Sequence, residues 1–352
     1  MSFAGKKALT FGSATIDVIA AVDDHDIERM TMSNAASSFL LLEEGRKIDV
    51  ASVNSSVGGG ATNTAVSIAR LGYDAACVVR IGEDNEGDTV LETLRAENID
   101  TRLVIRDTSL PTGKTIMVSS HVRNPTIFTS RGANVALTET EVTDSLFAGR
   151  DLVYVAGLSG DSAACFPKIV KLAKQAGAFV AVNPGIRQLT YWAGDVREAL
   201  AHVDLLSINA VEAEQLALTL IPKGQPKRGK QQPPKDGPKL LRTGLAGRTL
   251  EKLVERVCEE GPKIILITNG SEGAYAGTKD GITFFPADKI KVGSTAGAGD
   301  AFASTFAAFA ASGADMTTCL KAATRNAASV IKVSDTHSGL MGFDALVTAM
   351  EN

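Results

Sequence analysis

Residues 293–302 place a carboxylate directly after a glycine-rich turn and before an apolar helix. They read Gly-Ser-Thr-Ala-Gly-Ala-Gly-Asp-Ala-Phe, and residues 301–311 continue with alanines and with phenylalanines spaced for one helix face. Amide groups in the first turn of a helix have no intrahelical acceptor, so this turn is suited to bind a phosphate. Asp300 is then placed to remove a proton from a hydroxyl that attacks a phosphoryl group. The alternative is a tight loop in which Asp300 is only a first-turn or capping acid.

Two upstream segments carry polar residues that suit a ligand. Residues 57–72 predict a glycine-rich loop that lets the backbone approach a ligand, followed by a helix over residues 65–71. Asn63 either binds that ligand or caps the helix. Residues 8–20 form an apolar, strand-like run broken by Asp17. An unpaired buried carboxylate is costly, so Asp17 either faces water at a strand end or binds a ligand.

The elements that must position these residues alternate along the chain. Apolar strand-like runs lie at 77–81, 152–156, 179–183, 205–208 and 264–268, with helical patterns at 166–176, 211–218 and 250–260. Such alternation predicts a mainly parallel sheet covered on both faces. Ligands bind such sheets at the carboxyl ends of strands. Asp17, Asn183 and Asn209 fall at or just past such ends, which predicts one shared cleft.

Composition excludes several classes of function. The chain has 352 residues, 44% hydrophobic and 22% charged, enough for one large α/β domain or two smaller ones. A net charge of −4 gives no general attraction to nucleic acid or to anionic membranes. The four cysteines lack metal or redox spacing and predict reduced thiols in a cytoplasmic protein. No apolar run is long enough to predict a membrane span.

Residues 222–248 depart from the alternating pattern. They are basic, rich in proline and glycine, and nearly free of core residues. This composition predicts a flexible surface insertion. The alternative is a basic arm that meets an acidic partner or a nucleotide.

Together, these segments resemble the ribokinase (phosphofructokinase-B) family of carbohydrate and nucleoside kinases over nearly the whole chain. The matching segments, in the family's order, are 12–17, 58–63, 81–88, 111–113, 132–134, 209–212, 268–273 and 297–300. The resemblance implies one domain, 1–352, built as a three-layer α/β/α sandwich with a mainly parallel sheet. It also implies a small β-sheet lid from residues 20–56 and 101–130, whose edges pair two copies into a homodimer.

The implied activity is ATP-dependent transfer of the γ-phosphoryl group to a hydroxyl of a sugar, sugar acid or nucleoside. By resemblance, Asp300 is the general base, and the catalytic amides belong to Gly297, Ala298 and Gly299. The implied acceptor-binding residues are Asp17, Gly58, Gly59 and Asn63. The implied residues for ATP are Asn183, Asn209, Glu212, Thr268, Gly270, Gly273, Thr295 and Asn326, with Glu212 contacting Mg²⁺ through water.

The sequence departs from the family pattern at several positions. Ser294 and Ala296 replace an acid and a threonine beside the glycine turn, and His337 and Ser338 stand in a later loop where Gly-Ala is usual. Those acid and loop positions build a monovalent-cation site in relatives, so we do not expect potassium activation. Leu158 stands where ribokinase has a glutamate that contacts the sugar, which argues against ribose bound in that manner.

Two other functions remain open on the sequence. One is lyase chemistry on a nucleoside phosphate by the same fold, as in pseudouridine glycosidases. The other is a non-catalytic sensor that binds a metabolite. The acceptor is also open, because Arg123 and Arg131 either recognise an acidic group on it or are ordinary surface charges. The expected partners are a small-molecule acceptor and ATP, with no nucleic acid and no membrane.

Overall fold

The structure is a computed structural model that describes residues 3–22, 28–31, 38–41, 44–45, 47–120, 126–221 and 245–351. Within these residues the strands are β1 (Lys7–Phe11), β2 (Thr15–Val22), β3 (Glu28–Thr31), β4 (Ser38–Leu41), β5 (Ser52–Gly58), β6 (Asp74–Val78), β7 (Arg80–Gly82), β8 (Ile105–Asp107), β9 (Gly113–Ser120), β10 (Thr126–Ser130), β11 (Leu152–Ala156), β12 (Phe179–Asn183), β13 (Leu205–Asn209), β14 (Ile264–Thr268), β15 (Ala274–Thr278) and β16 (Gly281–Phe285). The α-helices are α1 (Gly60–Arg70), α2 (Asn85–Ala96), α3 (Phe166–Gln175), α4 (Ile186–Tyr191), α5 (Ala193–Ala199), α6 (Ala210–Leu220), α7 (Leu250–Glu260), α8 (Ala298–Ala311), α9 (Met316–Val330) and α10 (Phe343–Glu351).

The main sheet has eight strands in the order β16-β15-β14-β13-β12-β11-β1-β6. Strands β14 to β6 in this order are parallel, and β15 and β16 continue the sheet antiparallel. Every residue of β11 is buried, as expected for a parallel strand covered on both faces. The predicted mainly parallel sheet is therefore confirmed.

Helices cover both faces of the main sheet. Buried side chains of α3, α5, α6 and α7 form one apolar layer, and those of α1, α8, α9 and α10 form the other. Helix α7 illustrates why the sequence folds this way. The Thr249 hydroxyl accepts the Lys252 amide at its start, and its four buried side chains share one face. The three-layer α/β/α sandwich is confirmed.

A second, smaller sheet has the order β10-β9-β2-β5. Its strands overlap the predicted lid segments 20–56 and 101–130, but β2 begins at Thr15 and β5 ends at Gly58. Two further pairs, β3 with β4 and β7 with β8, form two-stranded sheets. The smaller sheet is confirmed, whereas its action as a lid stays a prediction.

Two predicted strands are each divided between sheets. The run 8–20 forms β1 in the main sheet and β2 in the small sheet, with a break after Gly12, which has φ +149°. A Cβ on Gly12 would lie 2.9 Å from the Cβ of Ala156, so the turn requires glycine. The run 77–81 is divided in the same way between β6 and β7. Each pair of strands looks like one apolar run in the sequence because the strands on both sides of the break are largely buried.

Most of the predicted insertion 222–248 lies outside the described residues, which resume at residue 245. Its end differs from the prediction, because Leu245 is buried in the apolar layer of α6 and α7. The Arg248 guanidinium donates to the Ile221 carbonyl at 2.9 and 2.7 Å. Among the residues that the structure describes, no helix combines the length and the apolar character needed to cross a bilayer.

Candidate active site

A cavity of about 560 Å³ lies between the small sheet and the first turn of α8. It brings together six of the residues that the sequence predicts for the site: Asp17, Gly59, Asn63, Thr295, Gly297 and Asp300. The small sheet adds lining residues that the sequence analysis did not identify: Thr115, Met117, Ile127 and Thr129. Those strands have no motif of their own, so only their place in the sheet reveals them.

Asp300 lies in the first turn of α8, whose N-cap is Gly297 in the left-handed conformation at φ +74°. A Cβ on Gly297 would lie 2.8 Å from the Cβ of Thr336, so the close turn requires glycine. The Asp300 carboxylate accepts a hydrogen bond from Asn63 Nδ2 at 2.8 Å. Burial raises the pKa of Asp300 to about 6, opposed by the Asn63 bond and assisted by the charge of Asp17. A carboxylate with such a pKa is ionised at neutral pH and still accepts a proton readily.

Asn63 lies inside helix α1 and does not cap it. The helix begins at Gly60, five residues before the predicted start, and its N-cap is Gly59 without a side-chain cap. The early start follows from the Thr62 hydroxyl, which donates to the Gly58 carbonyl at 2.6 Å and closes the first turn. The capping interpretation of Asn63 is therefore wrong, and its amide faces Asp300 instead.

The three consecutive glycines at 58–60 allow close packing around Asp17. A Cβ on Gly58 would lie 2.0 Å from Asp17 Oδ2, and one on Gly59 would lie 2.5 Å from the Ser13 carbonyl oxygen. Gly59 also has φ +103°, a conformation that other residues rarely adopt. Contacts within the protein thus require glycine at positions 58 and 59, whereas their role in ligand access stays a prediction.

Asp17 projects into the cavity from β2 and is buried. The Thr15 hydroxyl donates to Asp17 Oδ1 at 2.8 Å. Burial raises the pKa of Asp17, and hydrogen bonds from Thr15 and Thr115 oppose the rise. Asp17 lies within a strand of the small sheet and not at the end of a main-sheet strand, which corrects the predicted position. It still belongs to the same cavity as Asp300.

Three predicted nucleotide residues end neighbouring strands of the main sheet. Asn183, Asn209 and Thr268 are the last residues of β12, β13 and β14. The Asn183 amide donates to the Ser207 carbonyl at 2.7 Å. Parallel strands present such ends at one edge, where α/β proteins bind ligands. The structure therefore brings these three residues together at one edge.

Asn209 and Glu212 form a capping box at the start of α6. Asn209 Oδ1 accepts the amide of Glu212 at 3.0 Å, and Glu212 Oε2 accepts the amide of Asn209 at 2.8 Å. Burial raises the pKa of the Glu212 carboxyl. Both side chains therefore have a structural function that is independent of any nucleotide.

The loop after β14 contains Gly270 at φ +55° and Gly273 at φ +119°. A Cβ on Gly273 would lie 2.2 Å from the Phe285 carbonyl oxygen. Between β14 and this turn, Asn269 Nδ2 is buried and finds no acceptor in the part of the chain that the structure describes. An amide without an acceptor beside a glycine turn is a donor that the sequence analysis did not single out.

Several other sequence-predicted positions are placed as follows. Ala298 and Gly299 form the first turn of α8. Asn326 is fully buried, where it donates to the Thr305 hydroxyl and accepts the Met341 amide, so the structure does not bring it to the cavity. Leu158 is buried in the apolar layer of α3, while Arg131 lines the cavity. Arg123 lies outside the described residues.

The loop after α9 makes contacts with the site that no sequence pattern predicts. Thr336 Oγ1 and His337 Nε2 lie 3.0 and 2.9 Å from Asn63 Oδ1. Only the departure of His337 from a family pattern singled it out. In the described part of the chain, no three His, Cys, Asp or Glu side chains gather closely enough to hold a metal ion.

Comparison with known proteins identifies the family. Residues 6–341 match the pfkB family carbohydrate kinases. A 5-dehydro-2-deoxygluconokinase of Listeria innocua is 27% identical over 305 residues, covering 84% of this chain and 85% of that protein. A ribokinase of Staphylococcus aureus is 25% identical over 279 residues, covering 78% and 83%. The solved Arabidopsis thaliana ribokinase, complexed with ribose and ATP, shares the fold with a TM-score of 0.73 at 20% identity, covering 100% of both chains. This chain therefore belongs to the pfkB family of carbohydrate kinases, phosphotransferases that act on sugar hydroxyls.

Proposed function

We propose that this protein transfers the γ-phosphoryl group of ATP to a hydroxyl of a sugar or sugar acid, with Asp300 as general base. One observation carries the proposal: the Asp300 carboxylate, with a pKa raised to about 6, lies in the glycine turn that begins α8 and faces the cavity. Nucleoside acceptors remain the second class to test. Three buried cysteines and one partly buried one, all free, suit a cytoplasmic location.

The mechanism follows from the residues around the cavity. Asp17 and Asn63 would hold the acceptor hydroxyls, and Asp300 would accept the proton of the attacking hydroxyl. Amides of residues 297–299 would stabilise charge on the transferring group. Each such donor contributes about 3–4 kcal/mol at a transition state, and a general base about 10²–10⁴-fold.

ATP would lie along the edge formed by the ends of β12, β13 and β14. The side-chain amide of Asn269 and the glycine turn 270–273 would contact the phosphates of ATP there. The residues present fit Mg²⁺, because Glu212 is a buried carboxylate at this edge and this ion needs only one or two carboxylates beside phosphates and water. When bound with ATP, Mg²⁺ would neutralise charge on the phosphates. Thr295 and Asn326 remain proposed residues for ATP. Asn326 is buried and joins α9 to Thr305 of α8, so it would affect ATP only through the positions of these helices.

The residue at position 158 restricts the class of acceptor. Leu158 is buried and apolar, so it offers no carboxylate to a sugar. We therefore propose an acceptor held mainly from the small sheet, by Asp17 and its neighbours Thr115 and Thr129. Ser294, Ala296 and His337 leave the predicted absence of potassium activation unchanged.

An ADP-release assay with ATP and Mg²⁺ tests the proposal. The acceptor panel is ribose, fructose, fructose phosphate, 2-keto-3-deoxygluconate, adenosine, guanosine and cytidine, each with and without potassium. We expect turnover with a sugar or sugar acid, unchanged by potassium. Turnover confined to nucleosides would replace the acceptor class. ATP binding without turnover on the panel would favour a sensor, and absence of ATP binding would contradict the kinase assignment and favour the lyase.

The substitution Asp300→Asn tests the general base directly. We expect turnover to fall by about 10²–10⁴-fold, since the amide cannot accept the proton. Dissociation constants for ATP, measured by calorimetry, should remain close to wild type. The control is Asp144→Asn, which changes an exposed carboxylate away from the cavity. Near-wild-type turnover of Asp300→Asn would rule out this role.

A further inference from the structure

The loop 335–340, between α9 and α10, approaches the proposed base through Asn63. Its backbone is anchored without help from the His337 ring. Arg70 Nη1 donates to the carbonyl oxygens of His337 and Leu340, each at 2.8 Å, while the rest of its guanidinium is paired with Glu97. Asp335 Oδ1 accepts the amide of His337 at 2.8 Å. A change confined to the ring therefore leaves these anchors in place.

The Asn63 amide is held at both ends. Its nitrogen donates to Asp300 Oδ2 at 2.8 Å, and its oxygen lies 3.0 Å from Thr336 Oγ1 and 2.9 Å from His337 Nε2. The Thr336 hydroxyl has one proton and a second acceptor, the Val57 carbonyl at 3.2 Å. It can donate to only one of the two. The His337 ring is thus the donor without this competition.

The direction of the Asn63 amide matters for Asp300. If the amide turned round, its oxygen would face an ionised carboxylate, and two acceptors would then oppose each other. A deprotonated His337 Nε2 could accept a hydrogen bond from the N–H of a reversed Asn63 side-chain amide. A protonated Nε2 donates to the amide oxygen and so favours the observed orientation. Burial lowers the pKa of His337 to about 4, so the ring is neutral at physiological pH and carries one proton. The contact with Asn63 Oδ1 assigns that proton to Nε2.

We propose that His337 is a positioning residue: its Nε2–H fixes the Asn63 amide so that Asn63 presents an N–H, and not its carbonyl oxygen, to Asp300. The proposal rests on the proposed function of Asp300 as the base. Through Asn63, the ring favours the ionised form of Asp300 that accepts the proton. His337 itself touches neither the acceptor nor ATP in this scheme.

Other charged groups near the two residues bear on any pH measurement. Asp17 faces Asp300, and the buried Tyr154 hydroxyl senses the charge of Asp300. Glu97, Arg70 and Asp335 surround His337. The pKa values of Glu97 and Asp335 are lowered and that of Arg70 is raised, so all three side chains stay charged above about pH 5. Asp17 is unchanged in every His337 variant, so it does not account for a difference between their pH profiles.

The test compares His337→Leu with His337→Gln. Leucine fills the space without an N–H, whereas glutamine can place an amide N–H near the position of Nε2. For His337→Leu we expect kcat to fall about ten- to a hundredfold, because a hydrogen bond to a charged network is lost. We also expect the acidic limb of kcat/KM to move to higher pH, since Asp300 loses the bond that stabilises its charge. The KM for ATP should not change, and His337→Gln should restore both kcat and the limb.

A double-mutant cycle with Asn63→Ala separates positioning from packing. If His337 acts through Asn63, His337→Leu causes no further loss of kcat in the Asn63→Ala background. Multiplied losses would overturn the proposal. So would an unmoved acidic limb, or a His337→Gln variant as impaired as His337→Leu, because both indicate packing alone.

Ser338→Ala is the control within the same loop, because the hydrogen bonds of Ser338 go to Asp335, whereas Thr336 and His337 contact Asn63 Oδ1. It should keep the acidic limb of the wild type. Thermal unfolding of each variant checks folding, and His337→Met takes the place of a leucine variant that does not fold. If Asp300→Asn retains full turnover, the proposed function fails whatever His337 does. If Asp300→Asn is inactive and the His337 variants have wild-type profiles, the present proposal alone fails.

Discussion

Asp300 takes up a proton more readily in the folded protein than in the unfolded chain, because burial raises its pKa from 3.8 to about 6. The folded protein therefore loses stability as the pH rises from about 4 to about 6, and the loss remains at higher pH. A residue that suits proton transfer thus opposes folding at neutral pH, which is common at active sites.

The same Asp300→Asn substitution should consequently stabilise the protein while it lowers turnover by about 10²–10⁴-fold. We expect the free energy of unfolding at pH 8 to rise by about 1–2 kcal/mol. This is less than the full pKa shift implies, because the Asp300 side chain is partly exposed. The gain should disappear below about pH 3, where the wild-type carboxyl is protonated in both the folded and the unfolded state. Urea denaturation at several pH values measures this, with Asp144→Asn as the control. A gain that is constant with pH would contradict the raised pKa.

The sequence predicts Asp300 well and its partners poorly. Three glycines before an acid at the start of an apolar helix are a local pattern, so the position of Asp300 follows from neighbouring residues. Its bond to Asn63 joins residues 237 positions apart, and the contacts of His337 span a similar distance. Such contacts depend on how α1, α8 and the loop after α9 pack, which no local pattern specifies.

At the scale of elements, the junction of β5 and α1 determines the position of Asp17. The substitution Gly58→Ala would place a Cβ 2.0 Å from Asp17 Oδ2 and displace that carboxylate. We expect kcat/KM for the acceptor to fall about a hundredfold, since small misplacements near a reacting group are costly. The KM for ATP should stay near wild type, because ATP is proposed to bind at the ends of main-sheet strands, away from Asp17.

Steady-state kinetics with each substrate varied in turn measures this selectivity. Gly194→Ala is the matched control, because a Cβ at Gly194 in α5 meets nothing within 4 Å. Equal losses for both substrates would indicate general misfolding, and no loss would show that Asp17 does not hold the acceptor.

Element types were predictable where hydrophobic pattern and burial agree. Strands β11 to β14 and helices α3, α6 and α7 lie within two residues of their predicted bounds. The sequence predicts one strand over the run 8–20 because β1 and β2 are both apolar, and only Gly12 marks the change of sheet. The start of α1 was misplaced because its first turn is closed by Thr62, a residue with no strong helix preference.

At the scale of the molecule, the small sheet has two different faces. One face lines the cavity through Asp17 and Thr115, and the other exposes Val53, Ile116 and Phe128. Ile116 and Phe128 are direct partners across β9 and β10, so they share a face. An exposed apolar face on a sheet suits contact with another protein surface, and we propose a second copy of this chain.

Substitutions on this outer face test the homodimer. We expect light scattering to give twice the chain mass for the wild type and the single mass for Ile116→Lys or Phe128→Lys, because burying an unpaired charge is costly. Leu218→Lys is the control, since Leu218 is a comparably exposed apolar residue on α6. A monomeric wild type would contradict the proposed dimer.

The break after Gly12 separates the residues proposed for the site into two groups by origin. Asp300 and the strand ends proposed for ATP belong to the main sheet and its helices, whereas Asp17, Met117, Ile127 and Thr129 belong to the small sheet. Mutations in β9 and β10 can therefore alter which acceptor fits without disturbing the groups proposed for the chemistry. Divergence among descendants of a common ancestor would then be concentrated in the small sheet, and directed evolution of a new acceptor should begin there.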